Sequence, residues 1–178
     1  MTDKLALRAR LRAARDEVGL TAAIPVALAF TERLASRPTI ASYLPIGSEA
    51  DPSAFVAAAR DADCTLALPH VKTRVAPLRF LIWDDAMPLT AGPFGLRQPP
   101  ALAAEVQPDV ILTPLLGFDR RGNRLGQGAG HYDRAFAAHP DAWRIGIALS
   151  VQALDALIPD PWDIPLHAIA TESDWIVP

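Results

Sequence analysis

The hydrophobic positions change period along the chain. Leu7, Leu11, Ala14 and Val18 recur at helical spacing, which predicts an amphipathic helix over Thr2–Val18 buried along that stripe. Thr2 or Asp3 stands at its cap and Gly19 at its stop. Lys4, Arg8, Arg12 and Arg15 form a second stripe beside the apolar one, within an arc of roughly 80°. A second helix is expected over Thr21–Ser36, with Pro25 marking its first turn. Short apolar runs then alternate with helical ones. Strands are expected at Thr39–Leu44, Cys64–Leu68 and Leu78–Trp83, and a helix at Pro52–Ala62 with Asp51 as its cap. Pro45-Ile46-Gly47-Ser48 reads as a loop, and so does the Pro- and Gly-rich stretch Pro88–Pro100. Asp109–Pro114 is apolar enough for a central strand buried on both faces. A glycine-rich loop follows, then a helix over about Gly130–Ala138, a strand Trp143–Leu149, a short helix Val151–Leu157 and a last strand Ala168–Thr171. The alternation predicts an α/β protein. Residues 1–178 are expected to form one three-layer domain with an open, mostly parallel sheet, the N-terminal helices 2–36 packing on its body.

Composition narrows the function classes. With 178 residues the chain suits one domain that folds without disulfide or metal. Its 51% hydrophobic and 21% charged residues exclude disorder and a coiled coil. The net charge of −3 gives no general reason to bind nucleic acid or an anionic membrane, so any anion site must be local. A single cysteine, Cys64, makes neither an intramolecular disulfide nor a structural zinc site. The charged N-terminus is not a signal peptide, and no apolar run reaches the roughly 18 residues of a spanning helix. These features predict a cytoplasmic protein.

The chemistry concentrates after the central strand. Gly126, Gly128 and Gly130 alternate in Arg124-Leu125-Gly126-Gln127-Gly128-Ala129-Gly130-His131-Tyr132-Asp133-Arg134. Such spacing lets backbone N–H groups turn inward around an anion, and the following helix adds its positive end. The same spacing also suits a wide turn that merely opens a helix. It is neither the dinucleotide fingerprint nor a Walker loop.

The whole motif resembles the signature of the 5-formyltetrahydrofolate cyclo-ligase family, also called 5,10-methenyltetrahydrofolate synthetases. The resemblance runs from Lys4 and Arg8 through Tyr43–Asp51, Leu68-Pro69 and Gly92-Pro93-Phe94-Gly95-Leu96 with Gln98-Pro99. It continues through Gly117-Phe118-Asp119 and Arg124–Arg134 to Gly146–Gln152, Pro159, Asp163 and Thr171-Glu172. The resemblance implies a sheet of the ribose-phosphate isomerase and CoA-transferase type. It implies ATP-driven closure of 5-formyltetrahydrofolate to 5,10-methenyltetrahydrofolate, with Mg²⁺ as cofactor and ADP and phosphate released. The formyl oxygen attacks the γ-phosphorus, the N10 amine adds to the activated carbon, and phosphate leaves. The partners implied are small molecules, acting on a monomer.

Residue by residue, the resemblance implies ATP binding by Lys4, Arg8, Arg124, Leu125, Gly126, Gln127, Gly128, Ala129, Gly130, His131 and Tyr132. It implies catalytic roles for Arg124 and Asp133, folate binding by Glu49, Phe94 and Tyr132, and metal binding by Asp133 and Asp163. Gln127 and Ala129 stand where some relatives carry a basic residue, and His131 replaces the usual aromatic. Bland readings stand beside these. The basic stripe can be a solvated helix face, Asp133 a complement to the helix dipole, and Asp163 a turn aspartate. Trp83 is a further aromatic that either stacks on a ligand ring or fills the core. Two other functions remain open: a non-catalytic nucleotide- or folate-binding relative, and a phosphosugar isomerase or transferase using the same anion loop.

Overall fold

The structure, a computed structural model, describes residues 3–18, 23–73, 76–84 and 86–178, apart from the side chain of Phe94. Thr2, Gly19 and Thr21, expected at the helix ends, lie outside the described residues.

Helix α1 (Lys4–Val18) is built from Ala, Leu and Arg, which are strong helix formers. Asp3 caps it, its carboxylate accepting from the N–H groups of Leu5 at 2.9 Å and Ala6 at 3.3 Å. Helix α2 (Leu28–Arg33) runs into a 3₁₀ turn at Leu34–Ser36, so its first helical residue falls after Pro25. Strand β1 (Thr39–Ala41) leads to α3 (Ser53–Asp61), where the Asp51 carboxylate accepts from the Ser53 N–H at 2.9 Å. Strands β2 (Thr65–His70) and β3 (Arg79–Ile82) form an antiparallel pair.

The stretch expected as a loop between Pro88 and Pro100 contains a small hairpin, β4 (Thr90–Ala91) with β5 (Arg97–Gln98). Strand β6 (Val110–Pro114) is followed by another hairpin, β7 (Gly117–Phe118) with β8 (Arg124–Leu125), and then by α4 (His131–Ala138). Strand β9 (Trp143–Ile147) ends before a 3₁₀ turn at Ser150–Gln152, which replaces the expected short helix. Ala153 turns to extended backbone, so the helical pattern there is not continued. Strands β10 (Ala168–Ala170) and β11 (Trp175–Ile176) close the fold. The expected strands and helices differ from the observed ones chiefly at their ends.

Among the described residues the main sheet has seven strands in the order β11-β10-β9-β6-β1-β2-β3. The five inner strands are parallel, and β3 and β11 lie antiparallel at the edges. β6 is the middle strand. Val110 and Leu112 face one core with Phe30, Phe55 and Ile145, while Ile111 faces the other with Phe80, Phe118 and Phe136. α2 and α3 therefore cover one face and α4 the other.

Helix α1 departs from its expected burial. Val18 is 39% exposed, whereas Arg15 is buried with Leu11. The helix does not lie flat on the sheet. It rides on Gly117 and the Ser150–Gln152 turn, and a β-carbon at Gly117 would stand 2.7 Å from Leu11 Cδ1. The helix is buried at Leu11 and Arg15, one turn apart.

Candidate active site

A cleft of about 930 Å³ opens beyond the carboxyl ends of β1 and β6, where ligands of open α/β sheets usually sit. The stretch Arg124–Tyr132 borders it, as do Lys4, Arg8, Glu49, Asp133 and Asp163. The fold thus brings together the sequence-expected residues. Phe94 is the exception, since its side chain lies outside the described residues.

The basic stripe of α1 meets the loops at the cleft rim, with Arg12 still exposed. Lys4 Nζ lies 2.6 Å from Asp160 and 3.9 Å from Asp163. Arg8 Nε donates to the Gly126 carbonyl at 2.9 Å, and Arg12 Nη2 donates to Gln127 Oε1 at 2.7 Å. Arg15 Nε donates to Ser48 Oγ at 3.0 Å. Four cations on one helical edge therefore touch three different segments of the rim.

The glycines divide by role. Gly128 and Gly130 hold φ values of +99° and +65°, which side chains rarely adopt. Gly126 has no such constraint, yet nothing stands within 4 Å of where its β-carbon would be. Its contribution is open space at the cleft floor. Gly130 precedes α4, whose N-terminal turn carries His131, Tyr132 and Asp133.

The electrostatics are uneven. Arg124 is nearly sealed, its side chain 6% exposed, and it forms an ion pair with Asp133. Burial lowers the Arg124 pKa and the Asp133 charge opposes that shift. Glu49 sits on a turn where it accepts from the Ile46 N–H at 3.0 Å. Burial raises its pKa, while that hydrogen bond, the Arg15 charge and the Gln127 amide pull it back. Burial also lifts the phenols of Tyr132 and Tyr43, which stay neutral beside Glu49.

Asp163 accepts from the Asp160 N–H at 2.8 Å, a turn contact, while still bordering the cleft. Among the described residues no three His, Cys, Asp or Glu side chains gather as a metal cage. Asp133 and Asp163 instead make a two-carboxylate rim. That donor set suits an ion shared with substrate phosphates, as Mg²⁺ usually is. Trp83 packs on the core with the Arg60 guanidinium over its ring at 5.8 Å, away from the cleft. Cys64 packs against the same core.

Two rim residues escaped the sequence reading. Asp160 holds Lys4, and Trp162, 68% exposed, stands between Asp160 and Asp163 in sequence. Only the meeting of the chain's two ends reveals them.

A model of the 5-formyltetrahydrofolate cyclo-ligase family matches residues 1–172. The chain is 35% identical over 147 residues to the 5-formyltetrahydrofolate cyclo-ligase of Mycolicibacterium smegmatis, covering 78% of this chain and 76% of the relative. It is 32% identical over 142 residues to the Escherichia coli K12 protein of the same name, covering 76% and 78%. Its fold is similar to that of the Aquifex aeolicus 5,10-methenyltetrahydrofolate synthetase, with a TM-score of 0.74 and 25% identity over 99% of this chain and 93% of that one. The Mycoplasma pneumoniae synthetase shares the fold at a TM-score of 0.66 and 24% identity, over 94% of this chain and 98% of that one.

Proposed function

The chain belongs to the 5-formyltetrahydrofolate cyclo-ligase family, and from that premise we propose how its cleft closes 5-formyltetrahydrofolate to 5,10-methenyltetrahydrofolate with ATP. One observation carries the reading. The α1 cations, the glycine loop and the Glu49 carboxylate meet on a single cleft. The pairing provides for a polyanion at one end and a hydrogen-bonding heterocycle at the other.

In this reading Lys4, Arg8 and the loop from Arg124 to Tyr132, including Leu125, Gln127, Ala129 and His131, hold the phosphates. The backbone N–H groups at the start of α4 receive anionic oxygens, and the open space at Gly126 admits them. Glu49 accepts from the ring N–H and amino groups of the pterin, and Tyr132 borders the same ring. Phosphoryl transfer needs alignment and charge neutralisation more than a side-chain nucleophile. The formyl oxygen attacks the γ-phosphorus as ADP leaves. N10 then adds to the activated carbon and loses its proton to water or the departing phosphate, whose leaving with the C–O bonding pair completes the methenyl bridge.

Arg124 faces the developing negative charge, with Asp133 fixing its orientation. Asp133 and Asp163 are the residues that would hold Mg²⁺ together with phosphate oxygens. The ion would supply charge neutralisation at the transferred group. The reading describes a monomer in the cytoplasm acting on small molecules. No helix among the described residues is long and apolar enough to cross a membrane.

Thermal shift tests the binding half of this account. A ligand at 100 times its Kd stabilises by about 2.7 kcal/mol, so Mg-ATP and 5-formyltetrahydrofolate are each expected to raise Tm by several degrees. No shift with either ligand would defeat the reading.

A further inference from the structure

Arg15 is a buried cation that none of the proposed phosphate or folate contacts employs. It is 4% exposed at a position where an amphipathic helix ordinarily places an aliphatic residue. Its Nε donates to Ser48 Oγ at 3.0 Å, and the Ser48 hydroxyl in turn donates to the Asp16 carboxylate. Its Nη1 is sealed from solvent and has no hydrogen-bond partner among the described residues. An unused buried N–H costs stability, so the packing alone does not explain the arginine.

What the arginine brings is positive charge beside Glu49, the neighbour of Ser48 in sequence. The attraction is mutual: Glu49 favours the charged form of Arg15, and Arg15 favours the charged form of Glu49. The two nevertheless form no ion pair. Arg15 spends its Nε on Ser48, and Glu49 takes its backbone bond from Ile46. The carboxylate therefore keeps acceptor capacity for a ligand. The other groups facing Glu49 are the neutral phenols of Tyr43 and Tyr132 and the Gln127 amide, so Arg15 supplies the positive charge. Arg15 itself also faces Arg12, Asp16 and Tyr43.

We propose that Arg15 is the positioning residue for Glu49: it holds the turn through Ser48 and sets its charge beside the carboxylate without occupying it. The inference rests on the reading of Glu49 as the folate-recognising group. Without Arg15, the turn loses its anchor and the carboxylate meets the pterin less often as an anion.

The test compares Arg15→Gln, Arg15→Lys, Ser48→Ala and Glu49→Gln by separate KM values for folate and ATP, with Tm measured for each. Arg15→Gln is expected to raise the folate KM about tenfold, the scale of one charge-assisted hydrogen bond, with the ATP KM within about twofold. The acid limb of the folate KM profile should move to higher pH. Arg15→Lys, which keeps the charge, should recover most of the loss. Ser48→Ala, which cuts the tether without opening a large cavity, should raise the folate KM more modestly. In the Glu49→Gln background, Arg15→Gln should add little. Equal effects on both KM values, a lysine variant as impaired as the glutamine one, or full additivity with Glu49→Gln would each overturn the proposal. A folate KM raised by Glu49→Gln but untouched by Arg15→Gln and Ser48→Ala overturns this inference alone. A folate KM untouched by Glu49→Gln overturns the substrate reading of Glu49 and the inference with it.

Discussion

Arg124 and Asp133 neutralise each other across the turn that joins β8 to α4. The guanidinium reaches the carboxylate through Nη2 and the Ile164 carbonyl through Nη1, and lies 4.5 Å over the Phe136 ring. Asp133 Oδ1 also receives the Ile164 N–H at 3.5 Å. Both of these contacts use Oδ1, and Oδ2 is engaged by neither. The pair couples helix, hairpin and the 160s loop at the mouth of the cleft. In the proposed site Arg124 offsets this carboxylate, so the pair repels ATP less than a bare carboxylate would.

Neutralising Asp133 separates chemistry from architecture. Asp133→Asn is expected to cut turnover by about 10²–10³, the scale of one transition-state contact, and to raise the Mg²⁺ concentration needed for half-maximal rate. Tm should fall as well, because a buried arginine loses its counter-charge. Titrating Mg²⁺ against turnover in both proteins decides it. A lower Tm with unchanged Mg²⁺ dependence would leave the pair a structural one.

Gly117 governs how closely α1 approaches. An added methyl would meet Leu11 Cδ1 at 2.7 Å and Leu154 Cδ1 at 3.3 Å. Gly117→Ala should destabilise by about 1–3 kcal/mol through overpacking. By lifting the helix that carries Lys4 and Arg8, it should also raise the ATP KM. Calorimetry with steady-state kinetics reads both effects. A drop in Tm with an unchanged ATP KM would mean that α1 is held independently of this contact.

The parallel interior was legible in the sequence because β6 is apolar at each of Val110, Ile111 and Leu112, and both cores bear that out. The two small hairpins were not. Each consists of two-residue strands, too short for an alternation to register beside the glycines and prolines that surround them. Along α1 the charge stripe was visible, but its partners were not, because Asp160, Gly126, Gln127 and Ser48 are distant in sequence. Arg15 is the sharpest case. Periodicity assigned the buried end of the helix to Val18, whereas Arg15 is buried there, held at Ser48, and Val18 is exposed.

Glu49 sets stability against function. Its pKa is raised by burial, so the folded state holds the proton to higher pH than the unfolded chain does. Stability from this group is therefore lost as pH rises through the raised pKa, and folate recognition is gained over the same interval. Glu49→Gln is expected to raise the folate KM about tenfold or more with little effect on the ATP KM. The ligand-free variant should melt no lower than the parent at neutral pH. A fall in Tm with both KM values unchanged would remove Glu49 from the substrate site.

Asp119, 1% exposed, anchors the β7–β8 hairpin. Burial pushes its pKa up, but donors from the Asn123 side chain and the N–H groups of Leu157, Asn123 and Arg121 outweigh burial and hold it below the usual carboxylate range. Its stabilisation is present above the unfolded pKa and is lost as pH falls toward the depressed folded one. Asp119→Asn puts an N–H₂ among these donors and should lower stability by about 1–3 kcal/mol. Urea melts at neutral and acid pH check this. The difference between parent and variant should shrink in acid, and a gap that stays constant with pH would contradict the assignment.

The most direct measurement is turnover itself. Purified protein mixed with 5-formyltetrahydrofolate, ATP and Mg²⁺ is followed by the near-UV absorbance of the methenyl bridge, with phosphate release recorded in parallel. The account expects the methenyl absorbance to grow only when ATP is present, with one phosphate released per bridge formed. Growth without ATP, or phosphate release without methenyl product, would contradict it.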